Sequence, residues 1–304
     1  MSEDTTAASP EMAHGAARPF APFRRAAILG LGLMGGSLGL ALQVDGLADA
    51  VVGYDAAPAH ADEALARRVV GAIAATPEAT VAGADLVIFT VPVLAIQPLM
   101  RAVAPALAPD AILTDVGSVK APVVAWAEAT LPRPGRFVGG HPMAGRERSG
   151  PGAAVATLFR GARWPLTPIP ATEPAALARI RALVVALGAE PQTLAPDEHD
   201  RLVAGASHLP LLAATALMQT LATSPDWPGV AQLAAGGFRD TTRVAAGDPT
   251  MARDICLTNR APILARLDAY LETLHQLRAA VEREDGPALE AIFAAAKVAR
   301  DEWG

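Results

Sequence analysis

Aromatic residues make up only 4% of this 304-residue chain, and cysteine occurs once, at Cys256. One cysteine excludes an intramolecular disulfide and leaves no thiolate cluster for a metal, which suits a reducing, cytoplasmic setting. The apolar fraction of 52% therefore rests on alanine and leucine, favouring small-residue helix packing over an all-β core. The formal charge of −6 comes with no basic block or stripe that could follow a phosphate backbone, so nucleic acid is not an expected partner. Long apolar runs are missing too: each is interrupted by Gly, Pro or charge, and no membrane-spanning helix is expected. No His, Asp or Glu set has ligand spacing, so no metal is expected. Residues 1–24 contain Glu3, Asp4, Glu11 and three prolines without a continuous apolar core, and read as a disordered tail rather than a secretory signal.

From residue 25 the pattern is α/β. The apolar run Ala26–Leu29 meets Gly30-Leu31-Gly32-Leu33-Met34-Gly35, and Ser37 to Gln43 then reads as helix. A second strand, Val51 to Asp55, ends on a carboxylate twenty positions after Gly35. Further strands are expected at Asp85–Val91, Ile112–Val116, Phe137–Gly140 and Glu190–Leu194. Helices are expected between them at Val93–Leu107, Val119–Leu131 and Glu173–Leu187. This alternation predicts a Rossmann-type doubly wound parallel sheet over residues 25–195. Beyond Pro196 no strand alternation competes. Helices are expected at Asp197–Leu221, Val230–Ala235, Thr250–Val281 and Pro287–Trp303, with Gly236-Gly237 among the separators, giving an all-helical domain over residues 196–304.

Strand, glycine turn, helix and terminal carboxylate together predict a nicotinamide dinucleotide site. Gly30, Gly32 and Gly35 allow the tight turn and the approach of a pyrophosphate to a helix N-terminus, with Leu33, Met34 and Thr90 beside it. Asp55 can accept from both ribose hydroxyls of NAD. The 2′-phosphate of NADP would meet like charge, with no arginine in Asp55-Ala56-Ala57-Pro58, so NAD is the expected cofactor.

One histidine stands out. In Gly139-Gly140-His141-Pro142-Met143-Ala144-Gly145 the imidazole has almost no neighbouring side chains, and histidine exchanges protons near neutrality. His141 leaves its strand at the same sheet edge as Ser118, so the serine hydroxyl could orient the imidazole. On local sequence alone, Ser118 reads equally well as a helix N-cap.

These segments carry a resemblance. Gly30 to Ser37, Asp115-Val116-Gly117-Ser118-Val119-Lys120, Gly140 to Gly145, Ser207-His208-Leu209-Pro210 and Gly237-Phe238-Arg239-Asp240-Thr241-Thr242-Arg243 occur in the order found in the prephenate and arogenate dehydrogenases of tyrosine biosynthesis. The resemblance runs from about Arg25 to the C-terminus. It implies oxidative decarboxylation of prephenate, or of arogenate, with NAD, and a homodimer built through the helical domain. It also implies that His141 hydrogen-bonds the substrate ring hydroxyl and that Ser118 holds His141. Arg243 would be the substrate carboxylate ligand, with Arg239 as its rival. His208, Glu147 and Asp240 would line the substrate cleft. The chain departs from the family at Met251-Ala252-Arg253-Asp254-Ile255, where an expected tryptophan is missing. With no mutase or regulatory domain expected after Trp303, any feedback by tyrosine would act at the active site.

β-Hydroxy acid dehydrogenases share the opening glycine motif. They rely on a lysine in the helical domain, and residues 197–273 contain none. A dinucleotide-binding module without catalysis is the remaining alternative, and it does not account for His141, Ser118, His208 and Arg243 together.

Overall fold

Short apolar strands alternate with alanine-rich helices in a computed structural model that describes residues 20–146 and 148–303. The strands are β1 (Ala26–Leu29), β2 (Val51–Tyr54), β3 (Ala72–Ile73), β4 (Leu86–Phe89), β5 (Ile112–Asp115), β6 (Phe137–Gly140), β7 (Arg163–Thr167) and β8 (Glu190–Thr193). They form one sheet in the order β3-β2-β1-β4-β5-β6-β7-β8. All neighbouring pairs are parallel except β6 and β7.

Helices α1 (Leu33–Val44), α2 (Pro58–Ala66), α3 (Pro77–Val81), α4 (Val93–Val103), α5 (Ala121–Thr130) and α6 (Pro174–Ala186) cover the sheet. The period of two along a strand sends alternate side chains to opposite faces. Ala26 and Ile28 of β1 accordingly join a core with Leu38, Leu42, Ile180 and Leu183 of α1 and α6. Ala27 and Leu29 join the other, with Ile96, Met100, Val123 and Ala127 of α4 and α5. Both faces are covered, which is why these strands read as continuous apolar runs rather than alternating ones.

Two strands escaped the sequence reading. β3 is two residues long, too short for a periodicity. β7 contains Pro165, which normally argues against a central strand. The expected tail of residues 1–24 also needs correction where it is described. Phe20 and Phe23 are buried, Phe23 forms a bridge to Ala48, and the Arg179 guanidinium stacks over both rings at 4.5 and 4.2 Å. Two aromatic rings close the end of the core, so packing starts before residue 25. Residues 1–19 lie outside the described residues.

No strand follows Thr193 among the described residues. Helix α7 (Pro196–Val203) passes through a π turn at Ala204–His208 into α8 (Leu209–Ala222). Then come α9 (Trp227–Leu233), α10 (Gly236–Thr242), α11 (Pro249–Thr258), α12 (Arg260–Glu282) and α13 (Gly286–Trp303). Gly236-Gly237, expected to separate helices, instead begins one. The helix expected over Thr250–Val281 is broken at Asn259 (φ −111°, ψ 35°), with Pro262 in the following first turn.

The run Pro196–Ala222 is, among the described residues, long and apolar enough by composition to cross a membrane; its apolar window has mean hydropathy 1.3 and is 22% buried. Its buried His199, Asp200 and His208 are nevertheless committed to polar contacts inside the protein. That arrangement favours a helix packed on the sheet domain.

Candidate active site

The carboxyl ends of β1, β2, β4 and β5 lie level, because Leu29 pairs with both Tyr54 and Phe89, and Phe89 pairs with Asp115. Everything the sequence reading assigned to a cofactor leaves the sheet at this edge. A Cβ on Gly35 would stand 1.9 Å from the Gly30 carbonyl oxygen and 2.6 Å from Thr90 Oγ1, so the turn closes only around a glycine there. A Cβ on Gly32 would meet nothing within 4 Å. Gly32 opens α1, whose first N–H groups have no side-chain cap, so the open space lies at an uncapped helix N-terminus suited to phosphate.

Leu33 and Met34 form the partly buried first turn of α1. The Thr90 hydroxyl lies 2.6 Å from the Gly30 carbonyl and braces the turn. Asp55 accepts from Leu31 N at 2.7 Å and from Ala57 N at 2.9 Å, which holds its carboxylate beside the glycine turn. His60 Nδ1, at 3.6 Å, is the nearby basic group. These residues fit a dinucleotide with free ribose hydroxyls.

At the end of β6, the antiparallel strand β7 sets the position of His141. The His141 N–H donates to the Pro165 carbonyl at 3.0 Å, and that of Met143 to the Arg163 carbonyl at 2.8 Å. The preceding residue is clamped from below. Gly140 N donates to Asp115 Oδ1 at 3.1 Å, and its carbonyl accepts from Lys120 Nζ at 2.8 Å. Lys120 and Asp115 form a fully buried ion pair. Burial lowers the Lys120 ammonium pKa, and the Asp115 charge opposes that shift. A Cβ on Gly140 would stand 2.8 Å from the Asp115 carbonyl oxygen, so a side chain here would break the clamp.

His141 is itself buried, 7% exposed, and its Nδ1 lies 2.9 Å from His199 Nε2. His199 Nδ1 lies 2.8 Å from Asp200 Oδ1. The Asp200 carboxylate also accepts from Lys120 N at 2.7 Å and Ala121 N at 2.8 Å, capping the start of α5 from the helical domain. The Asn259 amide donates to the Asp200 carbonyl at 2.9 Å and reaches His208 Nδ1 at 3.0 Å. The break between α11 and α12 thus puts an amide where three elements meet.

Burial pushes the His141 pKa well below 6.5, helped by His199, Lys120 and His208. His199 moves the same way through burial, against its hydrogen bond to Asp200. His208 falls to about 4, again through burial, with Asp200 opposing. All three imidazoles are neutral at physiological pH.

The other expected residues are distributed unevenly. Ser118 sits partly buried between β5 and α5. It forms no hydrogen bond with His141 among the described residues, and the Nδ1 side of that ring is taken by His199. His208 joins the network through Asn259 rather than through His141. Asp240 is exposed on α10, and Arg243 is exposed in the 3₁₀ turn that follows. Glu147 lies outside the described residues. The sequence reading missed His199, Asp200 and Asn259, and quoted Lys120 without a role. The charged run Asp197-Glu198-His199-Asp200-Arg201 looks like a solvated helix start; nothing local marks two of its members as buried. No group of three or more His, Cys, Asp or Glu among the described residues is arranged to hold a metal ion.

Comparison with known proteins gives a consistent picture. Residues 38–192 match the family model described as prephenate dehydrogenase, nucleotide-binding domain, and residues 195–295 that described as prephenate dehydrogenase, dimerization domain. The chain is 37% identical to a prephenate dehydrogenase of Bacillus subtilis, over 90% of this chain and 74% of that protein. It is 35% identical to a cyclohexadienyl dehydrogenase of Zymomonas mobilis, over 91% of this chain and 95% of that protein. A crystal structure of prephenate dehydrogenase from A. aeolicus in complex with hydroxyphenyl propionate and NAD+ superposes with a TM-score of 0.85 at 30% identity, covering 92% of this chain and 98% of that one.

Proposed function

The chain belongs to the prephenate dehydrogenase family, and from that premise we propose that it oxidises and decarboxylates prephenate with NAD, giving 4-hydroxyphenylpyruvate, carbon dioxide and NADH. The observation that carries this reading is a buried, neutral imidazole, His141, held at the end of β6 in the same sheet whose β1 ends in a glycine turn shaped for a dinucleotide. When bound, NAD supplies the hydride acceptor. The first turn of α1 would receive its phosphates, and Asp55 its ribose hydroxyls.

His141 accepts the proton of the ring hydroxyl as the carbon bearing it gives up hydride. Loss of the ring carboxylate as carbon dioxide sends its electron pair into the ring, which becomes aromatic, and the ring oxygen takes its proton back from His141 to give the phenol. A neutral base is required for this, and burial among other basic groups keeps His141 neutral. Arg243 offers a planar fork to the side-chain carboxylate of the substrate, with Asp240, His208 and Glu147 as its polar surroundings and Ser118 beside the imidazole.

The helical domain serves as a homodimer interface. Leu264, Leu271, Leu274 and Val281 are exposed along α12 at helical spacing, and Phe293 and Val298 are exposed on α13. An apolar stripe of this length is unfavourable in water, and a second copy would cover it. The single, unpaired Cys256 fits action in the cytoplasm.

The test is NADH formation by the purified protein with prephenate or arogenate and with NAD or NADP. Turnover of prephenate with NAD is the expected result, and the rate with arogenate measures how far the amino-bearing substrate is accepted. No turnover in any of the four combinations would overturn the reading.

A further inference from the structure

The Asp200 carboxylate has no hydrogen to give. It receives two backbone N–H groups at the start of α5, at 2.7 and 2.8 Å, and can only accept from the third group that reaches it, His199 Nδ1 at 2.8 Å. Neutral His199 therefore carries its hydrogen on Nδ1, and its Nε2 is a bare acceptor. The atom facing that acceptor is His141 Nδ1, at 2.9 Å, with the rings edge to face at 68°. A hydrogen bond there requires the hydrogen on His141 Nδ1. The ring nitrogen left without one is Nε2.

We propose that His199 is a positioning residue that fixes the tautomer of His141, so that the imidazole presents the bare Nε2 lone pair the substrate hydroxyl proton needs. His199 and Asp200 come from α7, whereas His141 extends β6. The same carboxylate that orients His199 also caps α5 of the sheet domain. Seating of the helical domain on the sheet domain and arming of the base are therefore one structural event. After His141 takes the proton, its Nδ1–H still points to His199, and the Asp200 carboxylate lies one ring further on to stabilise the imidazolium.

The groups facing this pair are Lys120 and Asp115 from the β5 and α5 side, Asp200 on α7, and His208 in the π turn. None of them offers His141 Nδ1 an acceptor in place of His199.

This inference rests on His141 as proton acceptor, and the tautomer can be read without turnover. Long-range 1H–15N spectra of the histidine-labelled full-length protein should show His141 protonated on Nδ1 and bare on Nε2; a wild-type protein with the hydrogen on Nε2 would overturn the proposal. His199→Phe keeps a ring but removes the acceptor, and should lower kcat on the order of 10²-fold with KM and NAD affinity within about threefold. His199→Gln carries an amide oxygen that can accept from Nδ1–H, and should recover most of that loss. Full kcat in His199→Phe, or equal losses in both variants, would leave His199 a packing residue and refute the positioning role. If the unaltered protein does not turn over prephenate at all, the functional reading fails, while the spectra still decide the tautomer.

Discussion

His141 Nδ1 and His199 Nε2 lie 2.9 Å apart, although 58 positions separate the two residues in the chain. Strand β7 fixes the backbone of the first, and α7 carries the second. The contact spans the seam between sheet and helical bundle, and it engages the Nδ1 edge of the His141 ring.

Replacing His141 by asparagine removes the base and leaves the glycine turn untouched. A positioned general base contributes about 10² to 10⁴ in rate, so kcat should fall by that order while the NAD dissociation constant stays the same. Steady-state kinetics with a parallel binding titration checks both halves; full activity would remove His141 from the mechanism.

Two glycines three positions apart should respond in opposite ways. Gly35→Ala forces a Cβ against the Gly30 carbonyl and should lower the melting temperature. Gly32→Ala places a methyl group in open space, so the fold should keep its melting temperature while NAD affinity drops at least tenfold. Thermal melts beside NAD titrations separate the two effects. An unweakened NAD site in Gly32→Ala would mean that the opening is not the phosphate site.

Asp55 holds its place through Leu31 N and Ala57 N, and would meet the 2′-phosphate of NADP with like charge. Asp55→Ser should therefore raise the NADP to NAD ratio of kcat/KM by about tenfold or more, a change of about 1.4 kcal/mol in discrimination. An unchanged ratio would assign cofactor choice elsewhere.

Acid should destabilise the protein before the carboxylates titrate. An unfolded histidine binds its proton near pH 6.5, whereas folded His208 holds off to about 4. Between those values the unfolded chain binds more protons, so the His208 contribution is complete above 6.5 and is lost progressively as pH falls towards 4. The shift corresponds to about 3 kcal/mol for this one group, and His141 and His199 move in the same direction. Denaturant midpoints should drop between about pH 7 and about pH 5, and His208→Leu should flatten the drop. Identical pH slopes in variant and parent would contradict this.

Leu271→Glu with Leu274→Glu puts two charges into the exposed stripe of α12. Light scattering should show a dimer for the parent and a monomer for the double variant, with the sheet domain still folded. A double variant that remains dimeric would move the interface to another face.

The parts of this protein that were legible from sequence are those whose reasons are local. The turn from β1 into α1 is ten contiguous residues in which strand, glycines and helix must each obey their own backbone rules, and Asp55 follows at a fixed offset because the intervening helix has a fixed length. His141 could be singled out because two glycines before it and a proline after it leave little local packing reason for an imidazole.

Tertiary structure alone decided what holds that imidazole. β7 became a strand despite Pro165 because pairing with β6 outweighed local propensity. The long helix expected over Thr250–Val281 broke at Asn259, whose amide satisfies the Asp200 carbonyl and His208. Asp200 and His199 are buried in a segment with the composition of a solvated helix face, because their partners lie at Lys120, Ala121 and His141. Hydrogen bonds over such separations depend on which surfaces the fold brings together, and no periodicity within one segment records them.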